Sequence, residues 1–192
     1  MPETSKKPST SLERKYGVNL WEFPITLYRV HHQDAKTIRS TEKKWGFRAA
    51  AYRDNPQDVD DLRQALADHL DWSKEAPLSP FISAFSDPVH ALNWARRWRR
   101  NNENEPCTIV EICIEAEDHV TVFSVNDLVN KLDVTVPTRV KPNMYKDEYV
   151  FLHRVPKALV VSEEILDDEV ARNVDAEKYD KLMSAMSSIT IM

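Results

Sequence analysis

Residues 107–123 read Cys107-Thr-Ile-Val-Glu-Ile-Cys-Ile-Glu-Ala-Glu-Asp-His-Val-Thr-Val-Phe123, and the reading of this stretch decides the fold class. Ile109, Glu111, Cys113 and Glu115 alternate with Val110, Ile112 and Ile114, the two-residue period of a strand. Residues 119–123 repeat the β-rich composition after Glu117-Asp118. A connection that short joins antiparallel strands, whereas parallel ones need a long crossover. The stretch predicts a hairpin, and with it an antiparallel or mixed sheet.

Upstream, Phe81–Phe85 reads as a strand behind Pro77 and Pro80. Ser86 or Asp87 then caps a helix, with Pro88 suited to its first turn. The expected buried face of that helix is Ala91, Trp94, Ala95 and Trp98. Earlier still, Asp58 opens a helix whose Val59, Leu62, Leu66 and Leu70 share one face. Residues 33–57 carry no clean period and read as a long, functional or mobile loop with short pieces of structure. Ile25–His31 is the first strand. Downstream, Ser124 and Asp127 resemble a capping box for a helix through Leu132. Residues 133–147 form a proline-bearing loop, Glu148–Val155 reads as one strand closed by Pro156, and Ala158–Val161 as another. Strands outnumber helices in the centre, so the expected class is α+β rather than doubly wound α/β. The expected organisation is a flexible tail over 1–19 and a domain over 20–161. An acidic helical segment, 162–192, packs on the same domain, its last helix carrying a stripe of Tyr179, Leu182, Met183 and Met186.

With 192 residues, the chain suits one domain. A net charge of −5 argues against a dedicated nucleic-acid binder but leaves room for a local basic face. Arg96-Arg97-Trp98-Arg99-Arg100 invites a nucleic-acid reading, arginines for phosphate and tryptophan for stacking. Against it, cations are also favoured at a helix C-terminus by the dipole. Only two glycines occur, Gly17 and Gly46, which excludes a Walker loop and a Rossmann fingerprint, both built on glycine clusters. Cys107 and Cys113 lie ~20 Å apart along one strand, too far for a disulfide. His31 and His32 are adjacent in a strand, point to opposite faces, and do not suit one shared metal ion. No apolar leader and no run long enough for a membrane span are evident. The expected location is cytoplasmic or nuclear, without a membrane partner.

Three stretches in order carry a resemblance: Leu27-Tyr28-Arg29-Val30, Ser79-Pro-Phe-Ile-Ser83-Ala-Phe-Ser86, and Asp147-Glu148-Tyr-Val-Phe-Leu-His-Arg-Val-Pro156. Over roughly residues 25–161 the chain is similar to an uncharacterised domain family found mainly in filamentous fungi. The layout also resembles ADP-ribosyltransferases of the Arg-Ser-Glu type, with an arginine on the first core strand, an aromatic-x-Ser-Thr-Ser segment on the second and a glutamate opening a later one. The resemblance implies a mixed or antiparallel sheet with flanking helices, and NAD as the substrate, without a metal. Arg29 would hold the phosphates or adenosine ribose, as a permanently charged, two-pronged donor can. Ser83 would orient the glutamate, and Tyr28 and Phe85 would line the NAD site. Glu148 would accept a hydrogen bond from the nicotinamide ribose and stabilise oxocarbenium-like charge.

The chain departs from that pattern at two places. Ser83-Ala84-Phe85 lacks the second and third hydroxyls, with Ser86 one position too late. Lys146 stands where arginine-modifying transferases carry a second glutamate. The implied acceptor is therefore not arginine; another residue, a nucleic acid, a small molecule or water remains. Asp147 competes with Glu148 for the acidic role. Two alternatives stand beside the enzyme: an inactive binding module of the same fold, and a nucleic-acid-associated module using residues 96–100.

Overall fold

A strand that is apolar on both faces needs a packed layer on each, and the chain supplies several such runs. The computed structural model describes residues 11–19, 25–73, 77–102, 105–115, 118 and 120–166. In chain order the elements are α1 (Ser11–Tyr16), β1 (Ile25–His32), β2 (Ile38–Arg39), β3 (Trp45–Arg48), α2 (Val59–Leu70), β4 (Phe81–Phe85), α3 (Pro88–Asn101), β5 (Cys107–Ile114), β6 (Val122–Ser124), α4 (Val125–Leu132), α5 (Pro142–Tyr145), β7 (Glu148–Leu152), β8 (Arg154–Pro156) and β9 (Val160–Leu166). Six strands form one sheet in the order β6-β7-β4-β1-β5-β9, and three form another, β2-β3-β8. Every pairing is antiparallel. The α+β architecture expected from the sequence is the one observed.

Three apolar clusters hold it together. Leu62, Leu66 and Leu70 of α2 and Leu128 and Leu132 of α4 pack on Phe81, Phe123 and Val150. Beside them, Ala91, Leu92 and Ala95 of α3 cover Tyr28, Val30 and Phe85 on the same face of the large sheet. On its other face Leu27, Ile82, Ala84, Val110, Ile112 and Phe151 meet Phe47 and Val155 of the small sheet. Each fully buried Leu, Val or Phe contributes about 1.5–3 kcal/mol. Local signals start the helices: Asp58 accepts from Asp61 N–H, Asp87 from Val89 N–H, and Ser124 from Asp127 N–H.

The structure corrects several expectations. β5 and β6 are not a hairpin: β5 pairs with β1 and β9, while β6 pairs with β7 at the far side of the sheet. Alternation shows which side chains face a core, but not which strand lies alongside. The run 148–155 is two strands in two sheets, broken at His153, whose φ is 68°. There the backbone bonds turn aside, His153 N–H to Pro80 O at 2.7 Å and Ala49 N–H to His153 O at 2.8 Å.

Residues 162–166 belong to strand β9 rather than a helix, because β5 has an open edge that they satisfy. Within 1–19, Ser11–Tyr16 is a helix with Leu12 buried against the α2–α4 core. In α3 the buried residues are Ala91, Leu92, Ala95 and Arg99, with Trp94 and Trp98 half-buried. The stripe from Tyr179 to Met186 lies outside the described residues. No helix among the described residues is long and apolar enough to cross a membrane.

Candidate functional site

β1 pairs with β5 along its whole length, from Ile25 against Ile114 to His32 against Cys107. With β4 it pairs only at Tyr28 against Phe85. Beyond that point the two central strands separate. Arg29 bridges the gap, its Nη1 donating to the Ser83 carbonyl at 2.8 Å. Its guanidinium lies 5.3 Å from the centroid of Phe47. The split opens a cleft of about 320 Å³ whose walls include Arg29, His69, Ser83, Phe85, Trp94 and Glu148.

Arg29 is 4% exposed and Glu148 3%. Burial lowers the Arg29 pKa to about 10, so the guanidinium remains a cation at neutral pH. Its Nε has no hydrogen-bond partner, and no carboxylate pairs with it among the described residues. A buried, uncompensated cation is costly. The same cleft is also lined by Lys36 and by the carboxylates of Asp34, Asp68, Asp71 and Glu148.

Glu148 opens β7 directly opposite Phe85 of β4. His69, in the last turn of α2, places Nε2 2.9 Å from Ser83 Oγ and 3.3 Å from Glu148 Oε1. Its Nδ1 is 2.9 Å from Ser79 Oγ, and that hydroxyl accepts the Phe81 N–H at 3.1 Å. The ring thus spans Ser79 on one nitrogen and Ser83 with Glu148 on the other. In an acyl-transfer triad the serine and the carboxylate occupy opposite ring nitrogens. Ser83 and Glu148 both face Nε2 and so do not form that arrangement, whereas Ser79 and Glu148 face opposite nitrogens of the ring.

Of the residues singled out in the sequence, Arg29, Ser83, Phe85 and Glu148 meet in this cleft, and Tyr28 does not. Tyr28 points to the opposite face of β1 from Arg29 and packs with Val30 and Phe85 beneath α3. Burial, then the charge of Glu111, raises its pKa. Asp147 lies outside the cleft walls, near His90 and Lys146 at 3.5 Å each. His31 meets the edge of Phe47, whereas His32 stacks on Trp98 at 4.1 Å. Arg99 turns inward, Nε to the Glu105 carbonyl at 3.2 Å, which removes it from any exposed basic cluster. His69 is the residue that sequence reasoning missed. Its one signal was a lone histidine at the edge of the Leu62-Leu66-Leu70 stripe, which looks like a favourable helix-end charge.

The chain matches, over residues 22–169, the family described as a domain of unknown function, DUF7587, and belongs to that family. No curated protein matches it. Among solved structures it is similar to the chain named EcPltA, with a TM-score of 0.50 and 13% identity over 75% of this chain and 82% of that one. At that identity the likeness is one of fold.

Proposed function

We propose that the cleft binds NAD and that the chain cleaves its nicotinamide–ribose bond, passing ADP-ribose to a non-arginine acceptor or to water. The observation that carries this reading is the convergence of Arg29, Ser83 and Glu148, from three strands, on one cleft of about 320 Å³. That volume falls in the range usual for small-molecule sites. The unpaired guanidinium suits the pyrophosphate. As the glycosidic bond breaks, its electron pair leaves with nicotinamide and neutralises the pyridinium. Positive charge then grows on the ribose, where the Glu148 carboxylate stabilises it. Ser83 and His69 keep that carboxylate in place. The acceptor oxygen or nitrogen forms the new bond and loses its proton.

Nicotinamide release from NAD, followed by chromatography, tests the proposal. Glu148→Gln is expected to lower release by about 10²-fold or more, while leaving NAD binding measurable. NAD at 100 times its dissociation constant stabilises a protein by about 2.7 kcal/mol. Wild type and Glu148→Gln are therefore expected to melt higher with NAD, and Arg29→Gln is not. Equal release from all three proteins sinks the site assignment. The inactive-module reading is favoured by Phe85, an apolar ring on the cleft wall at the position of the third motif hydroxyl. It predicts a thermal shift with NAD and no nicotinamide release.

A further inference from the structure

The outer face of the small sheet carries an arrangement that the cleft does not use. Phe47 and Val155 turn toward the core, so the cross-strand pair Arg48 and Arg154 faces away from it. Arg154 lies 5.0 Å from the Trp45 ring and 5.2 Å from the Tyr52 ring. Arg48 and Arg53 lie 4.4 and 5.4 Å from Tyr52, and Lys44 lies 5.2 Å from Trp45. Four cations thus interleave with two aromatic rings. Among the described residues Glu42 is the carboxylate that reaches one of them, Arg48 Nη1 at 3.6 Å. Asp54 and Glu13 act on His153, as does Arg154. This local excess of positive charge stands out in a chain of net charge −5.

Trp45 Nε1, Arg48 Nε and Arg154 Nε are enclosed and have no acceptor among the described residues. Trp45 also walls a hollow of about 430 Å³ between this sheet and β9, lined by Arg39, Lys43 and Lys157 and also by Glu42 and Glu163, of which Glu163 pairs with Arg39. Cations set beside aromatic rings and an adjoining hollow are the chemistry of a phosphate backbone with unstacked bases. The geometry points to this face as a docking surface for single-stranded nucleic acid, with Lys44, Arg48, Arg53 and Arg154 on phosphates and a nucleotide in the hollow beside Trp45. A duplex is a poorer fit. β2, β3 and β8 are two, four and three residues long, too short to enter a groove, and a paired base cannot occupy the hollow.

Fluorescence anisotropy of labelled oligouridylate, titrated at several salt concentrations, tests this. Binding is expected to weaken with salt at a log–log slope of about −0.7 per phosphate held. Arg48→Gln with Arg154→Gln is expected to reduce that slope by about 1.4, while Arg97→Gln with Arg100→Gln on α3, and Arg29→Lys in the cleft, leave it unchanged. Circular dichroism checks that the variants are folded. If the arginine pair unfolds the protein, the exposed Lys44→Gln and Arg53→Gln carry the test, each reducing the slope by about 0.7. Absence of binding at low salt overturns the proposal. So does unchanged binding by the face variants, loss of binding through the cleft or α3 variants, or equal affinity for a duplex of the same length. Binding to heparin but not to oligouridylate assigns the face to another polyanion and overturns it too.

Discussion

His69 links the Ser83 side chain of β4 to the Glu148 side chain of β7, so its removal reads out both structure and site. His69→Ala leaves Glu148, which is 3% exposed, without its ring nitrogen, and Ser79 and Ser83 each lose a partner. Leaving a buried polar group unsatisfied costs about 1–3 kcal/mol, and urea denaturation is expected to show a loss of that size. His69→Gln, which keeps one donor, is expected to recover part of it. His31 and His32 provide a pH signature. Burial first, then Arg29, lower both pKa values from 6.5 to about 4, with Arg39 adding to the effect on His31. The native state therefore resists protons that the unfolded chain takes up. Stability is expected to be fully present above about pH 6.5 and to fall as pH drops toward about 4. Thermal melting across that window checks the sign, and His31→Gln with His32→Gln is expected to flatten the slope. Arg29 and Glu148 were legible in the sequence because each stands at a marked place on a strand-like run. His69 was not, because nothing in α2 indicates what packs against its last turn.

At the level of elements, the separation of β1 from β4 makes the site. A single bridging pair, Tyr28 with Phe85, marks where they part, and the Arg29 guanidinium takes the Ser83 carbonyl that continued pairing would otherwise engage. His153 makes the other decisive break. Its φ of 68° ends β7 and lets β8 join the small sheet, and its Nε2 reaches the Asp54 carbonyl at 2.9 Å. A β-branched residue tolerates that conformation poorly. His153→Val is expected to lose about 1–2 kcal/mol, lowering Tm by a few degrees, whereas His153→Asn is expected to lose less. Strand content was legible from residues 81–85 and 107–114, whose composition admits little else. Partners were not, and the hairpin expected around Glu117-Asp118 shows why. Two consecutive strands with a short connection usually pair, but here β5 has β1 and β9 on its edges.

For the molecule as a whole, Phe47 is the joint between the two sheets. It is 1% exposed and touches the guanidinium groups of Arg29 and Arg39 and the His31 ring. Phe47→Ala is expected to cost about 3–5 kcal/mol in urea denaturation through the cavity it leaves. Because Arg29 rests on the same ring, NAD-dependent stabilisation is expected to shrink with it, in contrast to the site-only effect of Glu148→Gln. The buried thiol of Cys107, its pKa pushed up to about 11, is expected to react slowly with iodoacetamide in the native protein.

The sequence by itself determined the class of fold, most of the strands and helices, and the motifs of Arg29, Ser83 and Glu148. These depend on periodicity, caps and residue type, which are local properties. Tertiary structure alone decided that β6 lies against β7, that the run 148–155 divides between two sheets, and that His69 stands between a serine and a glutamate. It also gathered Trp45, Tyr52, Arg48 and Arg154 onto one face. Each of these outcomes turns on which distant segment satisfies an open strand edge or a buried polar atom, and that choice belongs to the packing of the whole chain.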